Sequence, residues 1–233
     1  MGRKEELELK SIEETSDLWQ ILTPDQIEYL KGNYRVQRYR KNEIVYHEGE
    51  TPTHALCLIK GKIKIFKNGV GGRIQIVRII KPFEMFGYRA MFAGENFVTA
   101  ASAFEQSIIY AIPKEVIKYL IMKNSQLAWH FIRVLSVDLG IADARSVSLT
   151  QKHVRGRLAE SLLFLKERYG VEADGATISV YLSREDLANL SNMTTSNAIR
   201  TLSNFANEKL IAMDGRKIKI MDEDRLRKIN KIG

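Results

Sequence analysis

SREDLANLSNMTTSNAIRTLSNFANEKL, residues 183–210, reads as a helix, a tight turn and a second helix. Ser183 with Asp186 three residues on forms a variant capping box, and Leu187 and Leu190 come next at helical spacing on a helix of about two turns. Ser191-Asn192-Met193 breaks that period. A helix-turn-helix needs one turn residue at positive φ, and Asn192 is the best non-glycine candidate. Thr194 can cap the second helix, which would bury Ala198, Leu202 and Phe205 and turn Thr195, Ser196, Ile199 and Arg200 outward. Two hydroxyls, an aliphatic group suited to a thymine methyl and a guanidinium suited to guanine make a reading head for the major groove of DNA. An ordinary helical hairpin with a solvated face would account for the second helix, but not for the agreement of cap, turn and the adjoining hairpin.

That hairpin is LIAMDGRKIKI, residues 210–220, in which Asp214-Gly215 separates two short β-prone runs, a turn signal between strands. Arg216, Lys217 and Lys219 place positive charge on this wing. With Thr194 and Asn197 they are the expected phosphate contacts, which set affinity and register while the helix residues set specificity.

The remainder of the chain fits a soluble regulator. Its 233 residues leave room for two modest domains, with 45% hydrophobic and 27% charged residues. The formal net charge is +8, with 21 Lys and Arg against 17 Asp and Glu up to Thr150 and 15 against 11 beyond it. Cation placement is therefore more telling than net charge. The single cysteine, Cys57, excludes an intrachain disulfide and a four-thiolate iron–sulfur cluster within one chain, and inside its apolar run it reads as a small core residue. MGRKEELELK at the start lacks the apolar core of a signal peptide, and no long apolar run suggests a membrane span, so a cytoplasmic location without membrane attachment is expected. Neither a phosphate loop, a nucleophile elbow nor a metal-ligand cluster is present, so no enzyme and no metal site is expected.

Residues 1–17 read as a solvated segment, and Thr23-Pro24-Asp25 opens a short helix through Leu30. From Tyr34 to about Ile112 short β-prone runs alternate with glycine turns: 43–46, 55–59, 62–66, 74–80 and 107–112. This spacing argues for a compact barrel or roll. Pro113 then starts a helical region, broken near Asn124-Ser125, with a long helix to about Thr150. Ala128, Ile132, Leu135, Leu139, Ala142, Ser146 and Leu149 form a coiled-coil seam along it, beside a second stripe of Leu127, Phe131, Val134 and Ile141. One stripe can face the roll and the other a second copy of the chain, with Ile132, Leu135, Leu139 and Ala142 at the centre of a homodimer. A buried helix in a monomer is the competing reading. Lys152, Arg155 and Arg157, at the start of the next helix, either touch phosphate or are solvated.

Taken together, the layout resembles the cyclic-AMP receptor protein family of bacterial regulators, also called Crp/Fnr. The resemblance covers nearly the whole chain and is carried by KNEIVYHEGE (41–50), LIKGKIKIF (58–66), PFEMFG (82–87), AFEQS (103–107), the long helix and 183–220. It implies an α+β fold: an N-terminal cyclic-nucleotide-binding-like β-roll (jelly roll), a long dimerisation helix and a C-terminal winged helix-turn-helix. The corresponding domains are an effector-sensing roll over 1–123, a dimerisation helix and hinge over 124–150, and a DNA-binding domain over 151–233. It further implies a homodimer that binds palindromic sites on double-stranded DNA, RNA polymerase as a partner, and a small-molecule effector.

The departures from the family pattern narrow the effector. Members that bind cyclic nucleotide carry a Glu after the Phe-Gly turn and an Arg-Ser or Arg-Thr pair some ten residues on. Here Tyr88 follows Phe86-Gly87, and Phe97-Val98 take the places of the pair, with Thr99 as a remnant. A phosphate buried against Phe and Val would lack a counter-charge, so cyclic AMP is not expected. Arg89 either supplies a cation to an anionic or aromatic ligand from a shifted position, or makes a surface ion pair. Phe86, Gly87, Tyr88, Arg89, Phe97, Val98 and Thr99 thus outline the candidate effector pocket. Haem, which some relatives carry, would need His47, His54, His130 or a Met, and a lone histidine is usually structural. The cofactor is left unknown, with haem and an iron–sulfur cluster not expected. A constitutive DNA binder whose roll is only a dimerisation scaffold is the alternative to a gated regulator. In the recognition helix, Ser196 stands where many relatives carry a Glu, which predicts a different half-site that keeps a guanine opposite Arg200.

Overall fold

The computed structural model describes residues 17–232, and the segment 1–16 read as solvated lies outside them. The described residues form two compact units, one of residues 17–68 with Val77–Leu139 and one of Gly69–Ile76 with residues 140–232.

Across the first unit and the parts of β5 and α5 that belong to the second, helices α1 (Asp17–Ile21) and α2 (Pro24–Lys31) precede the strands β1 (Arg35–Tyr39), β2 (Ile44–Tyr46), β3 (His54–Lys60), β4 (Ile63–Asn68), β5 (Ile74–Ile80) and β6 (Met85–Phe86). Helix α3 (Tyr88–Ala93), β7 (Ala100–Ala103), β8 (Ser107–Pro113), α4 (Lys114–Lys123) and the long α5 (Ser125–Gln151) come after them. Thr23 caps α2 in a full capping box with Gln26. Among the described residues of the roll, the strands form two four-stranded sheets, β1-β8-β3-β6 and β2-β7-β4-β5.

Register explains the composition of the central strands. In the antiparallel β3–β8 pair, Leu56 faces Ala111 and Leu58 faces Ile109, and these four side chains lie in the roll interior with Ile63, Ile65, Phe86, Ala101 and Ala103. The alternate residues Ala55, Cys57, Ile59, Tyr110 and Ile112 point the other way, into a second core with Trp19, Leu30, Ile117, Leu120, Leu127 and Phe131. A strand buried on both faces reads as a continuous apolar run, which is why HALCLIK shows no alternation. Gly61 joins β3 to β4 at φ +94°, and a Cβ there would lie 2.3 Å from Ser107 Oγ and 2.6 Å from the Gln106 carbonyl. Only glycine fits this turn.

Asn124 makes the break before the long helix. Its Oδ1 accepts from the backbone N–H groups of Gln126 and Leu127, and its Nδ2 donates to the Ile21 carbonyl and to Gln26. Along α5, Leu127 and Phe131 are buried, whereas Trp129, Ile132, Leu139, Ile141 and Val147 are exposed. Ile141, expected on the inner stripe, is 51% exposed and departs from it.

The second unit continues with α6 (Val154–Tyr169), α7 (Arg184–Leu190), α8 (Thr195–Asn207), the strands β9 (Ile211–Asp214) and β10 (Lys217–Ile220), and α9 (Glu223–Ile232). Leu158, Leu162, Leu187, Ala198, Leu202, Phe205, Ile211, Ile218 and Leu226 fill its core.

Candidate nucleic-acid interface

Helix α7 begins at Ser183, whose Oγ accepts from the Asp186 backbone at 3.0 Å and donates to the Asp186 carboxylate at 2.6 Å. The carboxylate therefore engages the hydroxyl. At the far end the Ser191 N–H bonds to the Leu187 carbonyl and the Met193 N–H to the Ala188 carbonyl, with Asn192 between them at φ +50°. This is the positive-φ residue the turn requires, and Asn tolerates it better than other side chains. Arg157 of α6 fastens the turn: Nε donates to the Ser191 carbonyl and Nη2 to the Asn192 carbonyl, each at 3.1 Å, and Nη1 to the Lys152 carbonyl at 3.0 Å. Buried Ser191 Oγ donates to Ser161 Oγ at 2.8 Å.

Thr194 caps α8, its hydroxyl accepting from the Asn197 backbone at 3.2 Å. Ala198, Thr201, Leu202 and Phe205 are buried, and Thr195, Ser196, Ile199 and Arg200 are exposed. Burial of Thr201 is not legible in the sequence, since its hydroxyl reads as polar surface. Ile199 is 48% exposed, between the exposed Ser196 and Arg200 on the same helix. Arg200 Nη2 donates to Asn197 Oδ1 at 2.8 Å, so Asn197, expected as a phosphate contact, here holds the arginine.

The wing is the β9–β10 hairpin, in which Asp214 pairs with Lys217 across the two-residue turn Gly215-Arg216. Gly215 at φ +55° supplies the positive φ that a type II′ connection needs at its first central position. Arg184 of α7 holds the tip, donating to the Gly215 carbonyl at 2.9 Å. The segment 170–178, which carries no strong periodicity, lies along the wing: the Ile178 N–H donates to the Ile218 carbonyl, and the Ile220 N–H to that of Ala176. Its carboxylates meet the wing lysines, Lys217 with Glu172 at 3.6 Å and Lys219 with Asp174 at 3.2 Å. Asp174 also accepts from the backbone of Thr177 and Ala176 and from the Thr177 hydroxyl, and these bonds with Lys219 hold its carboxyl well below the usual carboxylate range. Arg216, at the tip, is exposed. The cluster at the start of α6 turns inward: Arg155 grips Glu208 through two bonds of 2.8 and 2.9 Å and lies over the Phe205 ring, and Lys152 meets Glu160 and Asn230.

In the roll, the residues expected to outline the effector pocket are largely packed. Phe86, Tyr88 and Phe97 are buried, and the Phe97 ring stacks on Tyr46 with centroids 3.8 Å apart. Gly87 caps α3 at φ +77°. Val98 is 44% exposed, and Arg89 pairs with Glu95 at 2.6 Å, the ion-pair alternative. Burial pushes the Tyr46 and Tyr88 hydroxyls and the Cys57 thiol up to about 12. Among the described residues no cluster of three or more His, Cys, Asp or Glu could hold a metal, and no helix is long and apolar enough to cross a membrane.

Two family models match the chain, a cyclic nucleotide-binding domain over residues 36–124 and a Crp-like helix-turn-helix domain over 156–229. A curated relative from Mycobacterium tuberculosis, a CRP-like cAMP-activated global transcriptional regulator, is 25% identical over 90% of this chain and 94% of its own. The global nitrogen regulator of a Nostoc strain is 24% identical over 79% of this chain and 84% of its own. Among solved structures, FixK2 from Bradyrhizobium japonicum superposes with a TM-score of 0.77 at 22% identity, over 84% of this chain and 97% of that one.

Proposed function

The chain belongs to the Crp/Fnr family of DNA-binding transcriptional regulators, and from that premise we propose that it acts as a cytoplasmic homodimer on palindromic promoter sites, together with RNA polymerase, gated by a small molecule other than cyclic AMP. The exposed row Thr195, Ser196, Ile199 and Arg200, on a helix whose opposite side is buried, carries the sequence-reading part. Arg200 reads guanine and Ile199 a thymine methyl. Arg216 holds phosphate first among the wing cations, because Lys217 and Lys219 must share themselves with Glu172 and Asp174. Exposed Ile132 and Leu139 on α5 support a dimer seam that continues through Ala142, and a two-fold dimer matches half-sites about one DNA turn apart.

Against cyclic AMP stands Phe97, 8% exposed and stacked on Tyr46 where a phosphate would need a cation. The same stack is the one observation that favours constitutive binding with the roll as a scaffold. Selection of bound duplexes from a random pool at fixed salt, with metabolite extract, with cyclic AMP and with no addition, separates the two. A palindrome recovered only with extract is the expected result. Recovery without addition supports the constitutive reading, and recovery of no palindrome refutes both.

A further inference from the structure

The wing, which reads as basic, is electrically neutral once the segment lying along it is counted. Residues 170–178 and 211–220 carry three cations, Arg216, Lys217 and Lys219, and three carboxylates, Glu172, Asp174 and Asp214. On β10 the two lysines alternate with buried Ile218 and Ile220, so both rise from the outer face of the strand. Each meets one carboxylate of 170–178, but the two pairs differ in kind. Asp174 is fixed: Oδ1 accepts from the Ala176 and Thr177 amides at 3.0 and 2.9 Å, Oδ2 accepts from the Thr177 hydroxyl at 2.7 Å, and Lys219 Nζ lies 3.2 Å from Oδ2. That carboxylate builds the turn, and Lys219 is one partner of several. Glu172 joins the turn through its backbone alone, its N–H donating to Thr177 and its carbonyl accepting from Gly175. Its carboxylate reaches Lys217 at 3.6 Å, an ion pair too long for a hydrogen bond. The Lys217 ammonium also lies 5.4 Å from the centre of the exposed Tyr181 ring. Lys217, half exposed, is thus drawn to one side by a charge and a ring, with no bond that fixes it there.

We propose that Glu172 is an affinity-limiting residue of the DNA interface: its carboxylate competes with backbone phosphate for Lys217 and so limits the sequence-independent part of binding. The proposal rests on the DNA-binding reading above, and on neither the effector nor the palindrome. A cation that neutralises a phosphate displaces a condensed counterion from DNA, and sequence-independent affinity is the sum of such exchanges. A lysine that arrives with its own carboxylate brings no net charge to the exchange, whereas Arg216, exposed at the tip, brings a full one. The recognition helix is untouched by this balance, because base contacts and phosphate contacts are made by different side chains. Asp174 neutralises Lys219 in the same way, but its removal undoes the turn. Glu172 is the carboxylate whose charge can be deleted while the hydrogen bonds of the wing stay in place.

The test is anisotropy titration of the full-length protein on a random-sequence duplex and on the selected operator, over about 50 to 200 mM salt, the range in which phosphate contacts are read. Glu172→Gln is expected to tighten both duplexes alike, about two- to fivefold for each bound subunit, the scale of one exposed ion pair. It should also steepen the plot of log affinity against log salt by up to about 0.9 for each subunit, the share of one phosphate. Lys217→Gln should cost little in the unaltered chain and remove the whole gain in the Glu172→Gln protein. That coupling separates competition for the lysine from simple repulsion of DNA by the carboxylate, which needs no lysine. Glu172→Ala gives the same gain and serves if the first variant folds poorly, and the random duplex alone decides if no operator is recovered. No gain, a gain that survives Lys217→Gln, or a gain confined to the operator overturns the proposal. Failure of the unaltered chain to bind either duplex refutes the DNA-binding reading itself, and the proposal with it.

Discussion

Replacing Arg157 with methionine keeps an apolar stem and deletes a guanidinium that makes three hydrogen bonds to backbone carbonyls. The bonds to Ser191 and Lys152 are half-buried and the bond to Asn192 is exposed, where water replaces the lost donor. At about 1–2 kcal/mol for each half-buried bond and a few tenths for the exposed one, the turn loses about 2–4 kcal/mol. Hydrogen exchange at the Ser191 and Met193 amides, which close the turn on Leu187 and Ala188, reads this directly. Exchange should accelerate by about 30- to 1000-fold, since each 1.4 kcal/mol is tenfold. A phosphate contact would behave otherwise: its loss would leave exchange unchanged and reduce the salt slope of DNA binding by about one. Unchanged exchange with a reduced slope would refute the assignment of Arg157 to the turn.

Arg200→Ala should cost about 1–3 kcal/mol on the selected operator and relax preference at one base pair, whereas Arg216→Ala should weaken cognate and scrambled duplexes alike, as measured by anisotropy titration. Equal losses on both duplexes for Arg200→Ala would argue against a reading role. Lys209 ends α8 at φ +58°, where a side chain is strained, so Lys209→Gly should raise unfolding stability by about 0.5–1 kcal/mol in urea titration, and Asn192→Gly, at a position Asn tolerates, by less. Asp174 has its carboxyl depressed in the folded state, so its contribution is complete above the unfolded pKa of about 4 and is lost as pH falls toward the lower folded value. Asp174→Asn should therefore flatten the acid limb of the unfolding profile below about pH 4 and leave the neutral region level.

The strands rich in β-branched residues are legible because both the pattern and the glycine turns point to them. Strand β7, Ala-Ala-Ser-Ala, is not, because small residues carry no β signal of their own. Its alanines are explained only by register, Ala103 opposite Ile63 and Ala101 opposite Ile65, where larger side chains would overfill the roll. In the DNA-binding unit, caps and turn are readable because Ser183, Asn192 and Thr194 act on backbone within a few residues. The roles of the cations are not, because their partners are remote in sequence: Arg155 and Glu208 are 53 positions apart. The third layer of the wing has one available signal, Asp174-Gly175, the same pair of residues that marks the hairpin at Asp214-Gly215.

Strand β3 is a party wall. Leu56 and Leu58 belong to one room and Ala55, Cys57 and Ile59 to another, so a change of volume on one side is felt first by its own occupants. Such a partition allows the interior of the roll to be recut for a different tenant, with large side chains such as Phe97 filling or vacating it, while the mount on which the long helix rests keeps its shape. Different chemistries of sensing can then share one output, because the surface that senses and the surface that holds the helix are two faces of the same strand.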